Sequence, residues 1–144
     1  MRLPALALLC LGVAACQESS VAPSVEVADA VCRPTPNGRD LTGCYMILTA
    51  TTDDRLVSVS TPAAALAELH EMSTEGGIMS MAEMSGGLSL PAGQATALQP
   101  GGNHIMLMQV TAPLAEGDRV ELTLTFEDAA PITVSARVGN PPVN

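Results

Sequence analysis

Both histidines of the chain and six of its eight methionines fall between residues 70 and 108: His70, Met72, Met79, Met81, Met84, His104, Met106 and Met108. Methionines that fill gaps in a core are scattered. These are clustered and set among glycine turns. Thioether sulfur is a soft donor and imidazole a borderline one, so a mixed set of this kind suits Cu(I). Both donors are neutral, which favours a monovalent ion and permits its release to a partner, where thiolates would resist. Zinc fits poorly, because methionine is a weak ligand for it and no cysteine or carboxylate cluster accompanies the histidines. A blue-copper centre needs a cysteine beside two histidines, and none occurs between residues 45 and 144. The bland alternative is a Met-rich core with two surface histidines. No nucleophile–base or paired-carboxylate arrangement is apparent, so the chain is expected not to be an enzyme.

Strands must position these donors. In His104-Ile105-Met106-Leu107-Met108, alternation puts His104, Met106 and Met108 on one face and Ile105 and Leu107 on the other. By the same rule Met79 shares a face with Met81, and His70 with Met72. Three neighbouring strands carrying these faces would form one compact site. The rest of the chain reads as short strands at Val25–Cys32, Cys44–Thr51, Arg55–Ser60, Ala65–Met72, Ile78–Met84, Ala95–Leu98, His104–Thr111, Arg119–Phe126 and Ile132–Val138. Nine strands punctuated by Gly, Pro, Asn and Asp predict an all-β antiparallel sandwich or Greek-key barrel in a single domain. Thr61-Pro62 followed by alanines also carries a helix-start signal. A turn leading into a strand near Leu66 is the reading adopted here.

Composition narrows the function further. The chain has 144 residues, six arginines, no lysine, fifteen acids and a formal charge of −9. So few cations cannot replace phosphate counterions, which excludes a nucleic-acid backbone binder. With no Trp, one Tyr and one Phe, there is no platform for stacking bases. The apolar run Leu3–Ala15 behind Arg2 reads as an export signal, too short to span a bilayer. It ends in Val13-Ala14-Ala15-Cys16, which resembles a bacterial lipobox, so Cys16 is the expected lipidation site. The division expected is a signal peptide over 1–15, lipidated Cys16 with a flexible tether over 16–24, a β domain over 25–138 and a frayed tail over 139–144. Export to an oxidising compartment favours a structural disulfide between Cys32 and Cys44. A redox-active dithiol or thiolate metal site is the alternative, though the spacing is not C-x-x-C.

A larger pattern joins these pieces: His70, Met81 eleven positions on, and His104-x-Met106 within Pro100-Gly101-Gly102-Asn103-His104-Ile105-Met106-Leu107-Met108. Around it stand Asp53-Asp54-Arg55-Leu56, Glu68-Leu69-His70, Leu90-Pro91-Ala92-Gly93 and Pro113-Leu114-Ala115-Glu116-Gly117-Asp118. In these the chain resembles the PCuAC-type periplasmic copper chaperones, in a lipoprotein form, from about Val27 to Val138. The resemblance implies a cupredoxin-like β-barrel that binds one Cu(I) near its surface through His70, Met81, His104 and Met106. Met72, Met79 and Met108 would be auxiliary sulfur donors. Glu71 and Glu83 would lie near enough to attract cations. It further implies a periplasmic protein passing copper to an oxidase subunit with a binuclear copper centre, or to a partner chaperone; with the lipobox, a lipid-anchored monomer is expected. The 22-residue gap before His104 and the Cys32/Cys44 pair depart from the family pattern. Rival functions are copper buffering without a dedicated acceptor and thiol-redox activity at Cys32 and Cys44.

Overall fold

A computed structural model describes residues 20–142. The expected signal segment and Cys16 lie outside the described residues. Ten strands follow one another: β1 (Val25–Cys32), β2 (Leu41–Ala50), β3 (Asp54–Ser60), β4 (Ala64–Glu75), β5 (Ile78–Glu83), β6 (Leu88–Leu90), β7 (Ala95–Leu98), β8 (His104–Val110), β9 (Arg119–Phe126) and β10 (Ile132–Val138). Among the described residues there is no helix. The helix-start signal at Thr61-Pro62 is spent on a turn, in which the Thr61 hydroxyl accepts a hydrogen bond from the Ala63 N–H at 3.2 Å, and β4 begins at Ala64.

All ten strands join one sheet in the order β5-β4-β8-β2-β1-β10-β9-β3-β6, with β7 added to β2. The sheet rolls over so that β3 meets β4 and β6 meets β2. Inside the roll, Leu48, Leu56, Leu90, Ile105, Leu107, Leu122 and Leu124 are fully buried. This is a cupredoxin-like β fold in a single domain. Alternation carries it: in β9, Val120, Leu122, Leu124 and Phe126 are buried while Glu121 is exposed. β1 pairs antiparallel with β2, Val25 opposite Ala50 and Cys32 opposite Cys44, and parallel with β10, Cys32 opposite Val138.

Two features hold the strands that carry the site. Cys32 and Cys44 form a disulfide between directly opposed positions of β1 and β2, and both are fully buried. The bridge closes a connection of sequence separation 12. Replacing both cysteines with serine is expected to cost about 3 kcal/mol of stability in the chain-entropy account, read as a lower urea midpoint. At the far side of the roll, the buried Asp54 carboxylate accepts three backbone N–H groups. Arg55 N and Asp128 N reach Oδ1 at 2.7 and 3.1 Å, and Ala129 N reaches Oδ2 at 2.9 Å. Burial works against ionisation, but the N–H donors, Arg55 foremost, then Asp128, Ala129 and Glu127, outweigh it and hold the carboxyl below its ordinary range.

Candidate metal centre

The hairpin β4–β5 turns on Gly76 and Gly77, whose φ angles of 58° and 80° fit a two-residue turn that only glycines adopt without strain. That turn fixes the register, and a slip of one residue would send every side chain to the other face. In the register observed, β5 and β4 pair Met81 with Met72, Glu83 with His70 and Met79 with Thr74. On the other side, β4 and β8 pair His70 with His104, Glu68 with Met106 and Leu66 with Met108. β2 then sets Gly43 opposite Met106. Directly opposed residues share a face, so all seven sulfur and imidazole positions named from β4, β5 and β8 lie on one side of three adjacent strands. Leu69, Ile105 and Leu107 lie on the other, in the core.

The two imidazoles are the centre of this face. Their ring centroids are 5.8 Å apart at 63°, and His70 and His104 are only 9% and 6% exposed. The alternation rule alone placed His104 on the open face. The structure covers that ring with its neighbours, Tyr45 standing 6.4 Å away. Each ring has one nitrogen committed. His104 Nδ1 faces the Gly102 carbonyl oxygen at 2.9 Å, an atom that only accepts, so Nδ1 carries the proton and Nε2 keeps the lone pair. His70 Nε2 faces the Glu68 Oε2 at 2.9 Å, and a carboxylate likewise takes the N–H. His70 Nδ1 is left buried with no hydrogen-bond partner. An unmatched buried nitrogen costs about 1–3 kcal/mol, a cost that a metal ion would remove. Neutral imidazole with its second nitrogen tied to a carboxylate or carbonyl is the usual posture of a metal-ligating histidine.

Sulfur brackets the pair. Met106 is half-buried, one same-face step from His104, and Met81 sits one step the other way, on β5, 48% exposed. Met72 lies between Met81 and His70. Met79 and Met108 stand a further step out on either side, and Met84 packs against the core beyond the end of β5. Glu83 faces His70 across the strands, whereas Glu71 pairs with Ala82 on the opposite face, which corrects the expectation that both carboxylates border the site.

Several neighbours were not singled out from sequence. Glu68 could have been found from Glu-x-His in a strand, since residues two apart share a face. Tyr45 and Gly43 carried no such signal. A Cβ on Gly43 would lie 2.7 Å from the Tyr45 hydroxyl, so the glycine lets Tyr45 fold over β2 beside the imidazoles. The Arg33 guanidinium lies over the Tyr45 ring, 5.5 Å from its centre.

The roll is a cupredoxin-like β fold, similar to that of solved PCuAC domains. The chain superposes on the copper-bound PCuAC domain from PmoF2 with a TM-score of 0.67, at 24% identity, over 81% of this chain and 93% of that one. It also matches the solution structure of DR1885 from Deinococcus radiodurans. Against the apo form the TM-score is 0.60 at 30% identity over 96% and 94% of the two chains, and against the CuI form 0.59 at 31% over 87% and 82%. Residues 25–138 match the family described as "Putative lipoprotein LpqE-like", and the chain belongs to that family. A relative from Leifsonia xyli subsp. xyli, "Putative lipoprotein Lxx21020", is 40% identical over 83 residues, 58% of this chain. The chain spans about half the length of that curated relative, 50%.

Proposed function

We propose that this protein is an exported, lipid-tethered copper chaperone that binds one Cu(I) through His70 Nδ1, His104 Nε2, Met106 and Met81 and hands it to a copper acceptor, the binuclear copper centre of an oxidase subunit. The observation that carries this reading is the histidine pair, in which each ring has one nitrogen tied down and the other free. The names of the structural relatives, a copper-bound PCuAC domain and CuI-DR1885, support copper as the cargo. The family name supports the tether.

In this reading the ion arrives as Cu(I) and leaves as Cu(I), with no change of oxidation state and no proton to remove from sulfur. The buried imidazoles hold it, while the exposed Met81 is the ligand that a partner's donors displace first. Glu68 keeps the His70 proton on Nε2, so that Nδ1 presents its lone pair. Glu68→Gln is therefore expected to weaken Cu(I) binding by about 10–100-fold while leaving the fold intact, read in a competitive titration against a chromophoric Cu(I) chelator. The fully buried disulfide is out of reach of a partner's thiolate, which supports a structural and not a thiol-exchange role. The deciding experiment is transfer. Cu(I)-loaded protein mixed with the soluble copper-binding fragment of an oxidase subunit should pass its metal on and generate the acceptor's copper absorption. Retention of copper by the chaperone in the presence of excess acceptor would favour a buffering role instead.

A further inference from the structure

The outer hairpin carries more thioether than the histidine site needs. Met72 and Met81 are directly opposed on β4 and β5, and Met79 lies one same-face step beyond them, opposite Thr74. Opposed Cβ atoms stand roughly 4.5–5.5 Å apart and diagonal ones about 7–8 Å, a span that three flexible methionine side chains on one face can close around a single ion. Packing does not account for them. β5 is the edge of the sheet and exposed along its length, with Met79 62% and Met81 48% exposed. Exposed apolar side chains on an edge strand invite pairing with other chains, and proteins avoid them without a reason to keep them. The opposite face of the same hairpin carries no sulfur: Ser73 and Ser80 are joined there through their hydroxyls at 2.9 Å, with Ile78 exposed beside the turn. The hairpin also carries Glu71, Glu75 and Glu83 and no Lys or Arg between residues 64 and 83, so its field draws cations.

We propose that Met72, Met79 and Met81 form a second site, made of three thioethers, for a soft monovalent cation, Cu(I) or Ag(I). Thioethers select such ions over hard divalent ones. Met81 stands between the two sets. With metal limiting it serves the histidine pair, and with metal in excess it turns to Met72 and Met79, leaving His70, His104 and Met106 as a three-coordinate set. The hairpin is then the station where copper enters and leaves, a role that rests on the copper reading above, whereas binding at the hairpin stands without it.

The test is a titration of the purified protein with Ag(I), followed by the 13C-methyl resonances of methionine and the ring resonances of the two histidines. The wild type should take two equivalents, the methyls of Met72 and Met79 moving with the second. Met72→Leu/Met79→Leu, conservative changes on an exposed hairpin, should take one, with the histidine response kept. His70→Ala/His104→Ala should also take one, with all three hairpin methyls shifted. Met72 and Met79 methyls that stay still through two equivalents in the wild type would overturn the proposal, whether or not the histidine variant folds. Hairpin shifts that vanish in a folded histidine variant would overturn it too, by making the thioethers an extension of one site. Silent histidines beside responsive hairpin methyls would instead refute the histidine copper site and leave this one standing.

Discussion

Replacing His104 with alanine is expected to weaken Cu(I) binding by more than about 100-fold, since losing even an outer partner of a metal ligand costs about 10–100-fold and His104 is placed as a ligand itself. The imidazole is nearly fully buried, its Nδ1 proton is held by the Gly102 carbonyl, and its Nε2 is left free beside the orphan Nδ1 of His70. Removing it takes away one of two nitrogen donors and opens a hollow beneath Tyr45. Met106→Ala should weaken binding in the same assay by a comparable order. Met84→Ala is the control. Its side chain packs on the core below the sheet, so it should lower the melting temperature and leave the Cu(I) affinity within about twofold. Equal losses at all three positions would remove the ligand assignment and return the methionines to packing.

The second large effect is on stability. Asp54→Ala leaves three backbone N–H groups, those of Arg55, Asp128 and Ala129, without their acceptor. Of these only the Ala129 bond is buried; an unmatched buried donor costs about 1–3 kcal/mol, so with the two partly buried bonds a loss on the order of 2–3 kcal/mol is expected, a large part of the stability of a domain this size. The pH dependence follows from the direction of the shift. A carboxyl held below its ordinary value of 3.8 binds protons more weakly folded than unfolded. Its stabilisation is complete above that value and fades as pH falls through the lower folded one. Urea unfolding of both proteins should therefore show a gap that is constant from neutral pH to about pH 5 and narrows below about pH 4. A gap that does not close in acid would mean that the ionised carboxylate is not what holds the 127–129 segment. The adjacent Asp53 makes one exposed bond, to Ala92 N at 2.8 Å, and its removal should cost less than about 1 kcal/mol.

Much of this architecture was legible in the sequence where one physical rule acted alone. β1, β7, β9 and β10 begin and end where alternation and turn residues predict, and Ile105 and Leu107 went to the core as the period-2 rule required. Where two rules competed, the outcome was set by pairing partners. β2 starts at Leu41 and not at Cys44, because Thr42 and Gly43 pair with Leu107 and Met106 although Gly43 reads as a breaker. β4 runs on to Glu75, carried past Met72 by its hairpin with β5. Leu88–Leu90 went unread as a strand because three residues have no period, and only Asp54, Arg55 and Leu56 across the sheet make them one. At the site, the residue types pointed to copper and the alternation rule grouped them by face. What sequence could not give was the third dimension: that His70 Nδ1 would be left buried without a partner, and that a glycine would let Tyr45 lie beside His104.

The direction of β1 has a further consequence. Tyr45, the neighbour of His104, pairs with Val31 near the end of that strand, while the strand starts at Val25, six residues back. At about 3.3 Å per residue the histidine pair lies roughly 20 Å along the strand from the domain's N-terminal attachment. The β4–β5 hairpin runs the other way, so that Met72 with Met81, and then Met79, step back toward the Val25 end. Were residues preceding Val25 tethered to a bilayer, the thioether hairpin would be the part of the face nearer the anchor and the histidine pair the part farther from it.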